Sequence, residues 1–210
     1  ASVTKTIKLC TGICLVIQRD PIYLAKEVAT LDKLSNGRVI LGIGAGWNAE
    51  EMADHGTDYK DRFKVMRERV GAMKAIWTED QPEYHGTFVD FGPMTSRPKP
   101  VQKPYPPIIV GGGFPHGAKR AIEYGDGWMP IAGRGVDLLE QFSAFRQMAA
   151  EADRGPESMS LSVFGLDAET ATADEITAYG NAGVERVLFM LPSEGADTIL
   201  PLLDIAARYQ

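Results

Sequence analysis

Residues 38–48 decide the fold of this chain, with the sequence Arg-Val-Ile-Leu-Gly-Ile-Gly-Ala-Gly-Trp-Asn. The apolar run from Val39 to Leu41 does not alternate with polar residues, which is typical of a strand buried on both faces in a parallel sheet. Three glycines follow at alternate positions, and glycines at a strand end let a flat or anionic group approach the backbone. Open α/β sheets and α/β barrels bind their ligands at this end of their strands. The stretch therefore predicts an α/β architecture and one edge of a cofactor site.

The rest of the chain repeats a strand–helix alternation around this stretch. Upstream, residues 7–16 predict a strand and residues 21–34 a helix, which begins at the N-cap Asp20 and stops at Asn36-Gly37. Further strands are predicted at 107–113, 127–131, 160–164 and 186–191, and further helices at 61–78, 117–124, 136–153, 173–182 and 196–208. Six strand–helix units in one chain predict an α/β fold with a parallel sheet, either a barrel or doubly wound. An eight-unit barrel needs about 250 residues, so we expect one domain over residues 1–210 that lacks two units at its amino end.

Composition narrows the class of partner and the compartment. The chain has 210 residues and a formal net charge of −6, so we expect neither a nucleic-acid partner nor a membrane-surface role. Its two cysteines, Cys10 and Cys14, would lie about 13 Å apart on one face of a strand, too far for a disulfide. We predict that both belong to the core and that the protein is cytoplasmic.

The segment 80–107 departs from the alternation because it holds seven of the thirteen prolines. Within it, residues 83–91 predict a short hairpin with a turn near Gly86. Connections of this length are often functional, as lids or binding loops. A loop that wraps around the outside of the domain is an equally good prediction.

Two other kinds of site were considered. Residues 44–49 fit the dinucleotide motif G-x-G-x-x-A, but the acidic residue that this motif requires about 20 positions later is Glu68, inside a predicted amphipathic helix. The dinucleotide interpretation therefore fails. His55 and His85 have no paired metal-ligand spacing, so we expect two surface histidines and no metal site.

Four motifs in combination resemble the bacterial-luciferase-like monooxygenases, a family of TIM barrels that use FMN or the deazaflavin F420. The likeness is strongest over residues 7–131, and the motifs lie at 19–32, 35–48, 97–112 and 124–130. The resemblance implies that the chain contains strands three to eight of that barrel and lacks the first two β/α units. Such a barrel would be incomplete, or completed by dimerisation.

The resemblance also implies which residues of the amino-terminal half hold the cofactor ring. Thr11, Gly12 and Ile13 match a bulge on the family's third strand, which lies against the ring and often contains a non-proline cis peptide. Ala45, Gly46 and Trp47 match the end of the fourth strand, at the edge of the ring and the phosphate. Trp47 would either line the substrate side or belong to the core.

A second set of residues is implied for the cofactor phosphate. Gly111, Gly112, Gly113 and Phe114 precede a helix whose amino terminus would receive the phosphate, and His116 could add a donor. In FMN-using luciferases an arginine reaches the phosphate from the position of Ala45, so its absence favours F420 and leaves FMN as the alternative. The family's acid/base group commonly comes from the end of its second strand, so no catalytic residue is assigned.

The leading hypothesis is therefore an F420- or FMN-dependent oxidoreductase that acts on a small organic substrate by hydride transfer or monooxygenation. The alternative is a non-catalytic flavin-binding or scaffold protein, or an inactive truncated member of the family. In that case the open barrel edge would be covered by a second copy, as a homodimer.

Overall fold

A computed structural model describes residues 1–133 and 135–209. The chain divides into two compact units, one from Ala1 to Ile109 and one from Val110 onward. Within the described residues, no helix is both long enough and apolar enough to cross a membrane.

The first unit is built around the predicted glycine-rich strand. This strand, β3 (Val39–Gly44), is buried at every position, as its unbroken apolar sequence predicted. Two short strands pair with it in parallel, β1 (Leu9–Cys10) and β2 (Cys14–Leu15). The single strand predicted over residues 7–16 is therefore divided into two pieces.

Three helices complete the first unit: α1 (Pro21–Leu34), α2 (Ala49–Asp54) and α3 (Arg62–Thr78). The Asp20 carboxylate caps α1 by accepting the Tyr23 amide at 2.8 Å, as expected for an N-cap residue. After α1 the backbone turns through positive φ angles at Asn36 (57°) and Gly37 (78°), which ends the helix. Single turns of 3-10 helix at Val16–Gln18 and Tyr59–Asp61 join these elements.

The proline-rich segment is fastened to the helices of the first unit. Its predicted hairpin is present as β4 (Tyr84–His85) and β5 (Asp90–Phe91), which pair in antiparallel fashion. The Glu68 carboxylate on α3 accepts three successive amides of the hairpin turn, from Thr87, Phe88 and Val89. The buried Asp32 carboxylate on α1 accepts the amides of Val101 and Gln102. These bonds favour a wrapping loop over a mobile lid, and they give Glu68 a structural role.

In the second unit, strands and helices alternate as predicted. The strand β6 (Ile108–Gly111) contains the boundary between the units, and β7 (Gly127–Met129), β8 (Ser160–Asp167) and β9 (Val184–Met190) follow. β7 pairs in parallel with β8, and β8 with β9. The helices are α4 (His116–Tyr124), α5 (Leu138–Glu151), α6 (Ala173–Asn181) and α7 (Ala196–Ala206). All six predicted strand–helix units are thus present, and the parallel α/β fold is confirmed.

An aromatic cluster forms the core of the second unit. Trp128 on β7 is fully buried, and its ring centroid lies 6.0 Å from that of Phe142 and 5.3 Å from that of Phe145. Tyr179 on α6 extends the cluster, 6.1 Å from Phe142. Its hydroxyl donates to Glu175, and burial is the main cause that raises the pKa of Tyr179 to about 12.

The cysteine prediction needs correction. Neither cysteine forms a disulfide, as predicted, but Cys10 is exposed and Cys14 is half-buried, so neither is a fully buried core residue. Within the described part of the first unit, β1 pairs with β3 on one side alone. Cys10 therefore lies on an edge strand and not inside a sheet.

Candidate cofactor site

The first part of the candidate site is a bulge between β1 and β2. Cys10 pairs with Ile40 and Cys14 pairs with Ile43. An interval of four residues between β1 and β2 is therefore paired with an interval of three residues on β3. One extra residue is therefore inserted, which defines a β-bulge. The Gly12–Ile13 peptide inside it is cis, as the family resemblance implied for this position.

Contacts with β3 hold this bulge in place. The Thr11 hydroxyl donates to the Gly42 carbonyl at 2.7 Å, across the point where the regular ladder is interrupted. A Cβ placed on Gly44 would lie 2.4 Å from the terminal methyl group of Ile13. The glycine at this position of β3 therefore leaves room for the Ile13 side chain, while Thr11 and Gly12 remain exposed.

The end of β3 presents a flat aromatic surface. Ala45 is buried, and Gly46 has a φ of +75°, with Leu15 and Met52 packed beside it. The next residue, Trp47, is 84% exposed, so the alternative of a core role is wrong. The Asn48 side chain then caps α2 by accepting the amides at the start of that helix.

The second part of the candidate site is the loop between β6 and α4. Gly112 has a φ of +129°, a backbone conformation that residues other than glycine rarely adopt. Among the described residues, the backbone amides of Gly113, Phe114 and His116 have no acceptor. Phe114 and His116 are also exposed, and His116 is the first residue of α4. Three free donors thus lie together at the amino terminus of a helix.

Close backbone packing fixes the shape of this loop. The Gly117 amide donates to the Gly113 carbonyl at 2.7 Å. A Cβ on Gly117 would lie only 2.3 Å from the Gly112 carbonyl oxygen, so glycine is required here. The indole Nε1 of Trp128 donates to that same oxygen at 2.8 Å.

Each surface, taken by itself within its own unit, suits one part of a flavin-type cofactor. Free amides at a helix amino terminus bind a phosphate through hydrogen bonds and the helix dipole. An exposed indole ring and a glycine-containing bulge can contact a flat, largely apolar ring without steric hindrance. The residues present in each unit therefore fit the group that the resemblance implied. Within the described ranges, no cluster of three acidic, histidine or cysteine side chains could hold a metal ion.

The Cys14 thiol, which adjoins the bulge, is not suited to act as an acid/base residue. Burial raises the pKa of the Cys14 thiol, and the nearby Arg19 only partly opposes that shift. The thiol is therefore protonated at neutral pH. His55 is exposed, and His85 lies on the hairpin, where its Nδ1 is 2.7 Å from an Asp90 carboxylate oxygen.

Comparison with known proteins identifies the family. The family model described as luciferase-like monooxygenase matches residues 1–189. The chain belongs to this family. An uncharacterised protein of Mycobacterium tuberculosis is 39% identical over 200 residues, which cover 94% of this chain and 68% of that protein.

Two further relatives are named for enzymatic activities. An F420-dependent glucose-6-phosphate dehydrogenase of Amycolatopsis mediterranei is 31% identical, over 76% of this chain and 49% of its own length. An FMNH2-dependent dimethylsulfone monooxygenase of Pseudomonas putida is 32% identical, over 62% of this chain and 37% of its own length. The chain thus spans half or less of the length of these two relatives.

Solved structures agree on the fold. The monooxygenase RslO1 of Streptomyces bottropensis has a TM-score of 0.79 at 23% identity, over 99% of this chain and 78% of its own. An F420-dependent secondary alcohol dehydrogenase has a TM-score of 0.78 at 20% identity, over 100% of this chain and 80% of its own. At such identities the likeness establishes the fold alone, which is that of the luciferase-like barrels.

Sequence analysis did not single out the residues that support the candidate site. It found the exposed positions of both parts, but not the Thr11 hydroxyl bond, the close contact at Gly117 or the role of Trp128. The sequence offered one signal for Trp128, its place in the motif Tyr-Gly-Asp-Gly-Trp-Met-Pro over 124–130. That motif contributed to the family resemblance, but no role was assigned to its residues.

Proposed function

We propose that this chain provides the cofactor-binding framework of an F420-dependent oxidoreductase, with FMN as the alternative cofactor and a small organic molecule as substrate. The observation that carries the proposal is the loop after β6, where three backbone amides without acceptors meet the amino terminus of α4. Relatives that use F420 and FMN support the choice of cofactor class.

In this proposal, residues of each unit bind a different part of the cofactor. In the first unit, the bulge Thr11–Ile13 and the exposed Trp47 contact the ring, while Ala45 and Gly46 form the wall behind it. In the second unit, Gly111–Gly113, Phe114 and His116 bind the phosphate. When bound, F420 supplies hydride transfer and reduced FMN supplies oxygen activation, so the protein contributes binding, orientation and electrostatics.

The residue at position 45 favours F420 over FMN. The buried methyl group of Ala45 supplies no cation, whereas the resemblance places a phosphate-binding arginine here in FMN-using luciferases. The phosphate of FMN is a monoester with nearly two negative charges, and it depends more strongly on a cation than a singly charged phosphodiester does. The lack of a cation at position 45 therefore favours the singly charged phosphodiester of F420.

Binding measurements test the proposal directly. We expect saturable binding of F420, observed by fluorescence titration, with weaker binding of FMN. Replacing Trp47 with alanine should weaken binding of either cofactor without changing the unfolding midpoint. The matched control is Leu34→Ala, because Leu34 is also a large apolar residue in the first unit that is exposed, at 76%. Absence of binding for both cofactors would overturn the proposal.

Turnover requires a separate experiment. With bound F420, loss of the visible absorbance of the oxidised deazaflavin reports hydride transfer from a donor. Glucose 6-phosphate and simple secondary alcohols are the first donors to test. The first is the substrate in the name of a relative, and the second is the substrate class in the name of a structurally similar protein. Binding without turnover for any donor would support a non-catalytic flavin-binding protein.

The second candidate is a homodimer that forms through the edge at β9. Among the described residues of the second unit, β9 pairs with β8 alone, and α7 has no buried residue although it is strongly apolar. A second copy placed there would cover both features. Light scattering on the purified chain distinguishes a dimer from a monomer, and Leu200→Glu on α7 should dissociate the dimer.

A further inference from the structure

Trp128 connects the phosphate loop to the core of the second unit. Its ring is fully buried, and it packs against Phe142 and Phe145 of α5 and against Phe114 of the loop, with 6.1 Å between the Trp128 and Phe114 ring centroids. Its indole N–H donates to the Gly112 carbonyl at 2.8 Å. One side chain thus contacts the loop through both its ring and its polar atom.

We infer that Trp128 is a positioning residue for the cofactor phosphate, and that its indole N–H orients the free amide of Gly113. This inference rests on the proposed function of the loop. The Gly112–Gly113 peptide is not among the cis bonds of the described chain. In a planar trans peptide the carbonyl oxygen and the following N–H point in opposite directions. Fixing the Gly112 oxygen toward Trp128 therefore aims the Gly113 N–H the other way, where the described residues supply no acceptor for it.

The surrounding glycines make this orientation depend on a donor. Gly112 has a φ of +129° and no side chain, so the peptide that follows it can rotate easily unless it is held. The close approach of Gly117 limits the space around the Gly112 oxygen but supplies no strong hydrogen bond. Without the indole N–H, a partly buried carbonyl would lose its donor, and rotation of the peptide toward solvent would become favourable.

A role limited to core packing would give a different result from a positioning role. Loss of packing would destabilise the whole unit and weaken every ligand to a similar extent. Loss of orientation at Gly113 would weaken only ligands that carry a phosphate. The ratio of two dissociation constants, for a cofactor with and without its phosphate, therefore separates the two roles.

The test uses the variant Trp128→Phe in the full chain. The probes are F420 and its phosphate-free ribityl deazaflavin or, if the wild-type chain binds FMN instead, FMN and riboflavin. We expect the preference for the phosphate-bearing ligand to fall about tenfold, the size of one lost hydrogen bond to a charged group. An unchanged preference would overturn the inference.

The matched control is Trp77→Phe. Trp77 is likewise a buried tryptophan whose indole N–H donates to a backbone carbonyl, that of Ala25, at 2.9 Å in the first unit. The Trp77→Phe variant should lose a comparable amount of stability and keep the wild-type preference for the phosphate-bearing ligand. If Trp128→Phe does not fold, benzothienylalanine at position 128 replaces the N–H with sulfur and keeps the shape of the ring.

The outcomes separate this inference from the proposed function. If the wild-type chain binds neither cofactor, the proposed function fails. If it binds with a phosphate preference that both Trp128 replacements leave intact, only the inference fails.

Discussion

The two glycine-rich strand ends, one after β3 and one after β6, have similar sequences but different physical roles. At β3, Gly44 makes room for an apolar side chain, because a Cβ there would lie 2.4 Å from the terminal methyl group of Ile13. At the end of β6, Gly112 and Gly117 bring two backbone segments together, with a Cβ on Gly117 only 2.3 Å from a carbonyl oxygen. The first strand end exposes the Trp47 ring and the second exposes backbone amides.

This comparison shows that the role of a glycine depends on the atom that it approaches. A terminal methyl group can move by rotation about a side-chain bond at small cost, whereas a backbone carbonyl inside a turn cannot. Alanine substitutions at the two sites should therefore differ in cost, and they should affect different parts of the ligand.

The largest effect is expected for Gly117→Ala. The new methyl group would push the Gly112 carbonyl away from Trp128, which we expect to lower the unfolding free energy by about 2 kcal/mol. Loss of the aligned Gly113 amide should weaken the phosphate-bearing cofactor roughly tenfold relative to its phosphate-free form. Chemical denaturation and ligand titration measure the two effects. Gly180→Ala is the matched control, because it is also a helical glycine of the second unit and has open space around it.

A smaller effect is expected for Thr11→Val at the other strand end. Valine keeps the shape of threonine but removes the hydroxyl that donates to Gly42, at a cost of about 1 kcal/mol of unfolding free energy. If the bulge contacts the ring as we propose, binding with and without the phosphate should fall by the same factor. Thr11→Ser keeps the hydroxyl and should preserve binding. A selective loss of the phosphate-bearing ligand would contradict the assignment of this strand end to the ring.

Gly44→Ala should cost less than Gly117→Ala, below about 1 kcal/mol, because the Ile13 methyl can rotate and alanine is favoured over glycine in a strand. The double variant Gly44→Ala, Ile13→Val removes the methyl group that would clash. The two substitutions should therefore be less destabilising together than the sum of their separate effects, as measured by denaturation of all four proteins. Strict additivity would show that the contact between Gly44 and Ile13 carries no energy.

The sequence predicted the parts of the fold that depend on local patterns. The unbroken apolar run placed β3, and Asp20 with Pro21 placed the start of α1. The strand β8 runs to Asp167, three residues beyond its predicted end, because Gly165 adopts a φ of +91° at a register shift and does not end the strand. A glycine inside a strand pattern does not reveal which of these two outcomes applies.

The supports of the candidate site could not be predicted from local patterns, because they join residues distant in sequence. Gly112 and Trp128 are 16 residues apart, and Thr11 and Gly42 are 31 apart. No periodicity encodes such pairs. Cys10 was expected in the core for a related reason, since its apolar neighbours could not show that it lies on an edge strand.

The smallest effect concerns the two cysteines, which flank the bulge and leave the second unit without a thiol. Cys10 is exposed, so iodoacetamide should modify it first. Because burial raises the pKa of Cys14, less thiolate is present at a given pH, and its alkylation should rise only at a higher pH than that of an ordinary thiol. Mass spectrometry of Cys10→Ser and Cys14→Ser measures each rate alone. Equal rates at mildly alkaline pH would show that the bulge opens in solution, and that the Thr11 hydrogen bond to β3 does not hold it closed.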